Sequence, residues 1–597
     1  MKRKGFTLIE LLAVIVILSI IALITTPMIL NIIEETRKKA SIESVNGILD
    51  AAEKYEITSM LEGEETRVFK FPEDTKLQYK GTKPESGTLI IDEEGNTSIT
   101  VLINGYCVRK RFNETTPSVI EEKNCTIEDN ELIYAERYKE EILNGAYPEI
   151  KNELIPVTIE SNGTVTYADI RKEWYSYKNK IWANAVILKD NVTHSVGEEI
   201  PESDIKQYYV WIPRYKYELW NVNGENKYPN GTSSESAINI VFESKDKEAS
   251  NGTANGEWLT HPAFTSFNTN GIWVGKYETS YDEETYTDTS KFLTTNPNYA
   301  VATNASNIII KPNVRSLTNK KVSEFYTLGR GINEGLNSHM MKNSEWGAVA
   351  YLTYSLYGKC TETGCEEVYL NNVNTGYLNS TATFTGQWQY GASITGCSAS
   401  STSATVNSNQ SSCSSGYAYN ESNNKASTTG NISGIYDMSG GNWEYVMGVI
   451  KDASGNPMSG TNNTYNSGFN GTYGCPTCNS DTSGLTSLTT GINFPTDTRY
   501  YDIYTANSTD LNSDIWYKYE NGHLGDGNKE IAVSKSNSSS GDRGLWYSDY
   551  AHFPTMTDPW VRRGGVFNYG TGAGVLSFSR NGGHASSNDA FRVVLAI

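Results

Sequence analysis

The chain is short of basic charge: 50 Lys and Arg stand against 69 Asp and Glu, for a formal net charge of −19 over 597 residues. Phosphate binding needs a basic face, and past the N-terminal stem no dense Lys/Arg run appears, so nucleic acid is not expected as a partner. Histidine is scarce too; the six present show no ligand spacing. No HExxH, P-loop or GxSxG signature occurs, and no DxDxDG-like run marks a calcium loop. Neither a metal nor a cofactor is therefore expected. Glu345 and Glu444 are the carboxylates with most claim to acid–base work. Each adjoins a tryptophan, Trp346 and Trp443, and each reads instead as a structural hydrogen-bond acceptor.

Charge is missing in another sense from Leu11 to Ile33, an apolar run with no ionisable residue. At helical rise it spans roughly 34 Å, enough to cross a bilayer core. Lys2, Arg3 and Lys4 precede it and hold its start on the cytoplasmic side. A secretory signal would have a shorter apolar core followed by small residues at its cut site. Glu10 stands at the head of the run, where an unpaired carboxylate costs a few kcal/mol. The segment GFTLIELLAVIVILSIIALIT, Gly5 to Thr25, resembles the leader and first helix of type IV prepilins and type II secretion pseudopilins. That resemblance implies cleavage after Gly5, methylation of the new amine on Phe6, and pairing of Glu10 with the N-terminal amine of a neighbouring subunit. It also implies a prepilin peptidase/methylase and other pilin subunits as partners. The expected location is the cytoplasmic membrane of a bacterium before assembly, then the cell surface or an extracellular pilus. The competing reading is a plain single-span anchor with Glu10 snorkelling to the interface. Pro27 predicts a kink or local melting in the helix.

Cysteine is limited to eight residues, at 107, 125, 360, 365, 397, 413, 475 and 478. An even count in short-range pairs, on a chain threaded across a membrane, reads as disulfides. The preferred pairings are Cys107 with Cys125, Cys360 with Cys365, Cys397 with Cys413, and Cys475 with Cys478. The last, in GCPTCNS, is open to a redox or zinc half-site reading, but no nearby His, second CxxC or βαβ pattern supports one.

Length predicts two to four domains. Residues 1–5 are the leader and 6–60 the membrane and stem helix, whose polar second half keeps spaced Ile, Val, Leu and Ala for packing on a sheet. Residues 61–128 alternate as short antiparallel strands, with a turn at Glu94-Gly95-Asn96, and form the head of a pilin. Residues 129–205 read as a small β-rich connecting region around Trp174 and Trp182. Residues 206–597 form one large domain, with Ser/Thr/Asn/Gly-rich insertions at 371–431 and 452–545 expected as surface loops. The fold class is α+β.

The large domain is punctuated by YYVWIPRYKYELW at 208–220, GIWVGKYETS at 271–280, SEWGAVAYL at 344–352 and GIYDMSGGNWEYVMG at 434–448, before the closing segment 560–597. In this order the motifs resemble the formylglycine-generating-enzyme branch of the C-type lectin fold. The oxidase of that family depends on a cysteine pair before the final strand. Residues 564–597 hold no cysteine, so neither copper nor thiol chemistry of that kind is expected, and the domain reads as a binder and not an enzyme.

The closing segment more narrowly resembles the variable region of diversity-generating-retroelement target proteins. It has Trp560, Arg563, Gly564 and Gly565, then Ala573, Gly574, Val575 and Phe578, then Phe591 to Leu595. Between these fixed points lie the positions expected to face a ligand: Val566, Asn568, Tyr569, Thr571, Ser577, Ser579, Arg580, Asn581, His584, Ser586, Ser587, Asn588 and Asp589. Adenine randomisation of an Asn codon ending in C or T cannot yield Lys, Glu, Gln, Met or Trp. None of these occurs from Gly564 to Ile597. A fixed surface, small and polar for solubility, is the bland alternative. The expected function is a minor pilin or pseudopilin adhesin binding an extracellular protein or glycan. A pilin-anchored enzyme related to formylglycine oxidases and a DNA-uptake pilin rank below it.

Overall fold

The structure is a computed structural model describing residues 8–62, 68–91, 97–111, 116–120, 144–151, 153–170, 173–223, 226–231, 234–282, 305–374, 392–405, 407, 410, 412–413, 424–451, 485–487, 493–495, 497–505, 523–531, 546–554 and 558–597. The chain divides into two compact units, Met1–Leu143 and Asn144–Ile597.

In the first unit one helix, Leu8–Glu62, runs for 55 residues and continues through Pro27. Among the described residues no helix is long and apolar enough to cross a membrane. Leu8, Ile9, Leu12, Ile15, Val16 and Ile17 are exposed. Further along, Val45, Ile48, Leu49 and Ala52 recur at three- and four-residue steps and are buried together with Phe69, Leu89, Ile99, Val101, Ile103 and Val108. The strands form an antiparallel meander in chain order: Val68–Phe71, Ser86–Ile91, Thr97–Ile103, Tyr106–Lys110 and Ser118–Ile120. Period-2 alternation turns Ile99, Val101 and Ile103 toward the helix. Asn104 and Gly105, both at positive φ, close the two-residue turn between Ile103 and Tyr106. Asn104 Nδ2 donates to Ser41 Oγ at 3.1 Å, tying that turn to the helix. The expected Glu94–Asn96 turn lies outside the described residues, although Ile91 and Thr97 pair across it.

The second unit is built on a seven-stranded sheet. Its order is His339–Met340, Val593–Leu595, Gly271–Gly275, Ile205–Pro213, Asn184–Leu188, Ile155–Ile159 and Val165–Tyr167, with every neighbour antiparallel. Trp211 and Trp273 face each other at its centre, rings 5.3 Å apart. Gly271 lets them meet: a Cβ there would stand 2.4 Å from the Trp211 ring. Three of the seven strands come from residues 155–188, so the region expected as a separate connector belongs to the body of this unit.

A second sheet joins Asp502–Thr505, Trp443–Lys451, Trp560–Arg563 and Phe578–Asn581, with Asp589–Phe591 alongside the start of Trp443–Lys451. The Asn343–Thr353 helix is buried along its whole length. Glu345 Oε2 accepts the Lys342 backbone N–H at 2.8 Å and so caps its first turn.

Parts of the Ser/Thr/Asn-rich insertions are buried, contrary to the expectation of surface loops. Asn371 is fully buried, its Nδ2 donating to Ile394 O and Asp437 Oδ1, both at 2.8 Å. Ser393 Oγ donates to Glu278 Oε2 at 2.8 Å, and Asp526 and Glu530 are buried as well. Polar composition misleads here because internal partners take the place of water.

Two disulfides match the preferred pairings, Cys360–Cys365 and Cys397–Cys413. Cys107 is disulfide-bonded. Cys125, Cys475 and Cys478 lie outside the described residues.

Candidate binding surface of the closing segment

The frame of the closing segment depends on glycines where backbones touch. Gly564 and Gly565 follow the Trp560–Arg563 strand with φ of +85° and +80°. A Cβ on Gly565 would stand 2.5 Å from Ala573 Cα, and one on Gly574 would stand 2.1 Å from Asp549 Oδ1. Gly574 N donates to Gly564 O at 3.1 Å, clasping the two glycine motifs together. Phe578 and Phe591 are fully buried. Phe591 stacks on Phe325 at 4.7 Å and Phe578 meets Phe553 edge-on at 4.8 Å. Arg592 anchors the segment from below, its Nε donating to Glu444 Oε2 at 3.0 Å and its Nη1 to Gly275 O at 2.8 Å. Glu444 and Glu345 thus serve separate partners, Arg592 and the His339–Lys342 segment. They form no acid–base pair.

Strand register sorts the rest. Tyr445 pairs with Arg562, Arg562 with Ser579, Trp560 with Asn581, and Trp443 with Asp589. Because cross-strand partners share a face, Trp443, Tyr445, Arg562, Ser579, Asn581 and Asp589 all stand on one side of the sheet. Arg580 belongs to the other face, donating to Phe553 O at 3.1 Å and standing 3.7 Å from Asp558. Burial pushes its guanidinium down to about 10.

The thirteen positions expected to face a ligand therefore divide. Asn568, Tyr569 and His584 are exposed, and Thr571, Arg580, Ser586, Ser587 and Asn588 are half-buried. Val566, Ser577, Ser579, Asn581 and Asp589 are buried, contrary to expectation. Val566 packs with Trp443 and Phe567, and Ser577 lies in the glycine clasp. Asp589 is held by Arg562, whose Nη1 donates to its Oδ1 at 2.9 Å. Burial raises the Asp589 carboxyl above its ordinary range, against the pull of that guanidinium.

Two aromatic residues join the site that sequence reasoning did not place there. Tyr569, 38% exposed, stands edge-on to Trp443 at 5.3 Å and 5.5 Å from Tyr550. Tyr550 OH and His552 Nδ1 are 3.2 Å apart. The result is an aromatic patch with amide and hydroxyl groups at its rim. Such a patch offers stacking and adaptable hydrogen bonds at low ordering cost. The signal for Trp443 was its two-residue spacing from Tyr445 in NWEY, which puts both rings on one face.

A comparison with protein families matches residues 1–26 to the prokaryotic N-terminal methylation motif. The N-terminus is type IV pilin-like. The motif implies a pilin processed by prepilin peptidase and assembled with other pilins, first at the membrane of a bacterium and then on its surface. Gly5 and Phe6 lie outside the described residues, and the backbone of Glu10 belongs to the Leu8–Glu62 helix. No curated protein matches the chain.

Proposed function

We propose that this chain is a surface-displayed minor pilin or pseudopilin adhesin. Its distal unit takes the C-type lectin fold in its formylglycine-generating-enzyme-like form and binds an extracellular protein or glycan through a retroelement-diversified surface. The observation that carries this reading is that Asn568, Tyr569, His584 and Ser586 to Asn588 stay at least partly open to solvent, with Trp443 meeting the Tyr569 ring and donating its backbone N–H to Asn588 O, on a frame of glycines and phenylalanines. The reading as a binder and not an oxidase rests on the absence of cysteine from 564–597.

Sequencing this locus in related strains tests it. Substitutions should concentrate at Asn568, Tyr569, Thr571, His584 and Ser586 to Asn588, with Gly564, Gly565, Gly574, Phe578 and Phe591 unchanged. A reverse transcriptase beside a near-copy of the segment's coding sequence should accompany them. A segment that drifts no faster than the rest of the distal unit would leave an ordinary fixed surface.

A further inference from the structure

Arg562 stands outside the set of positions expected to face a ligand, yet three of those positions surround it. On the shared sheet face it lies opposite Ser579, one pair away from Asn581, and against Asp589. Its guanidinium sits over the indole of Trp443, 5.0 Å from the ring centroid. Among the described residues its fork is engaged strongly only once, through Nη1 to Asp589 Oδ1 at 2.9 Å, while Nη2 lies 3.5 Å from Ser579 Oγ. Arg562 Nε, Asn581 Oδ1 and Asn588 Oδ1 are buried with no hydrogen-bond partner among the described residues. The arginine side chain keeps 15% of its surface exposed and Asp589 none.

A stacked planar guanidinium is the side chain best suited to take a carboxylate through two parallel hydrogen bonds. Here an intramolecular carboxylate fills that role through one bond. We propose that Arg562 is a carboxylate-binding anchor of the ligand surface, filled in this chain by Asp589, so that residue 589 decides whether the surface takes an uncharged or a carboxylate-bearing ligand. The proposal rests on the reading of the closing segment as the ligand surface. With Asp589 present, the arginine's charge is met from inside. Recognition is left to Asn568, Tyr569 and the Ser586–Asn588 turn, which suit an uncharged polar ligand. With a small uncharged residue at 589, a ligand carboxylate would take the place of the Asp589 side chain at Nη1, with Nη2, now 3.5 Å from Ser579 Oγ, as the second donor of the same fork.

The test is chemical rescue with acetate in the full-length protein in detergent. Wild type, Asp589→Ala and the double variant Arg562→Met/Asp589→Ala are compared in sodium acetate and in sodium chloride of equal ionic strength. Acetate should raise the melting temperature of Asp589→Ala progressively, with an apparent affinity at least about ten-fold tighter than for the other two proteins. Should Asp589→Ala be unfolded in chloride, the expected result is recovery of its near-ultraviolet tryptophan circular dichroism in acetate alone. An Asp589→Ala protein that responds to acetate no more than the double variant overturns the anchor. Because acetate is read without any native ligand, that failure leaves the ligand-surface reading to the strain comparison. A positive response from strains with no variation would leave the anchor standing and remove the diversified surface.

Discussion

Gly574 marks where the closing segment tolerates nothing larger, since a methyl group there would overlap the buried Asp549 carboxylate. Gly574→Ala and Phe578→Ala should each lower stability by about 3 kcal/mol or more, read as urea midpoints. Asn568→Ala, at an exposed position, should stay within about 0.5 kcal/mol. Tyr569→Ser should fall between, at about 1 kcal/mol, because its ring meets Trp443 edge-on and lies beside Tyr550. The fixed glycines and phenylalanines were legible in the sequence, since such residues in a strand signal close approach and anchoring. The burial of Ser577, Asn581 and Asp589 was not, because a small polar side chain carries no mark of whether its partner is water or protein.

Glu530 offers a second test at this scale. It is fully buried, and its Oε1 accepts from Tyr217 OH at 2.5 Å and from Gly525 N at 2.7 Å. Burial, and then the nearby Asp526, push its carboxyl up to about 7. A raised carboxyl contributes stability in its protonated form. That contribution is complete below the unfolded value of about 4.3 and is lost as pH rises toward 7, on the order of 3 kcal/mol in all. Glu530→Gln keeps the acceptor without the charge. It should flatten the decline in stability between pH 5 and pH 8, measured as urea midpoints at the two ends.

Among the elements, the long helix was the easiest to foresee, because a charge-free run followed by apolar residues at helical spacing leaves few alternatives. The Asn104–Gly105 turn carries an equally plain hairpin signal, two residues that accept positive φ between paired strands. Residues 155–188 were foreseen as β-structure but not as part of the central sheet, since what joins them to it is the pairing of Asn184–Leu188 with Ile205–Pro213, across the boundary the sequence suggested at 205. The insertions were misjudged for the reason Asn371 makes clear: their amides and hydroxyls replace apolar packing with internal hydrogen bonds. One of them is stapled by Cys397–Cys413, which closes a loop of 16 residues' separation beside Ile394 and Val373. Replacing both cysteines by serine should cost about 3 kcal/mol. The same change at Cys360 and Cys365, whose sequence separation is only 5, should cost less. Paired thermal scans of the two double variants give the order.

For the whole molecule, the type IV pilin-like N-terminus makes the clearest demand. Mass spectrometry should find a mature chain starting at Phe6 with a methylated amine, and a bulky residue at position 5 should leave the leader in place. Glu10→Val should still enter the membrane, being more apolar, yet fail to co-assemble with other pilins in crosslinking of isolated filaments. A mature start beyond Ile33 would remove the pilin-like reading.

The placement of Val593–Leu595 ties completion of the central sheet to the last residues translated. This strand is translated after the rest of the closing segment, yet it sits inside the seven-stranded sheet between Gly271–Gly275 and His339–Met340. A frameshift or stop codon earlier in the closing segment deletes or scrambles it, and the sheet is then split, with two raw edges where it should be continuous. Such copies should fail to complete the second unit and should be cleared by proteolysis, a loss that limited protease digestion of a chain stopped before Val593 would show. An intact reading frame through the closing segment is thus a condition for completing the central sheet.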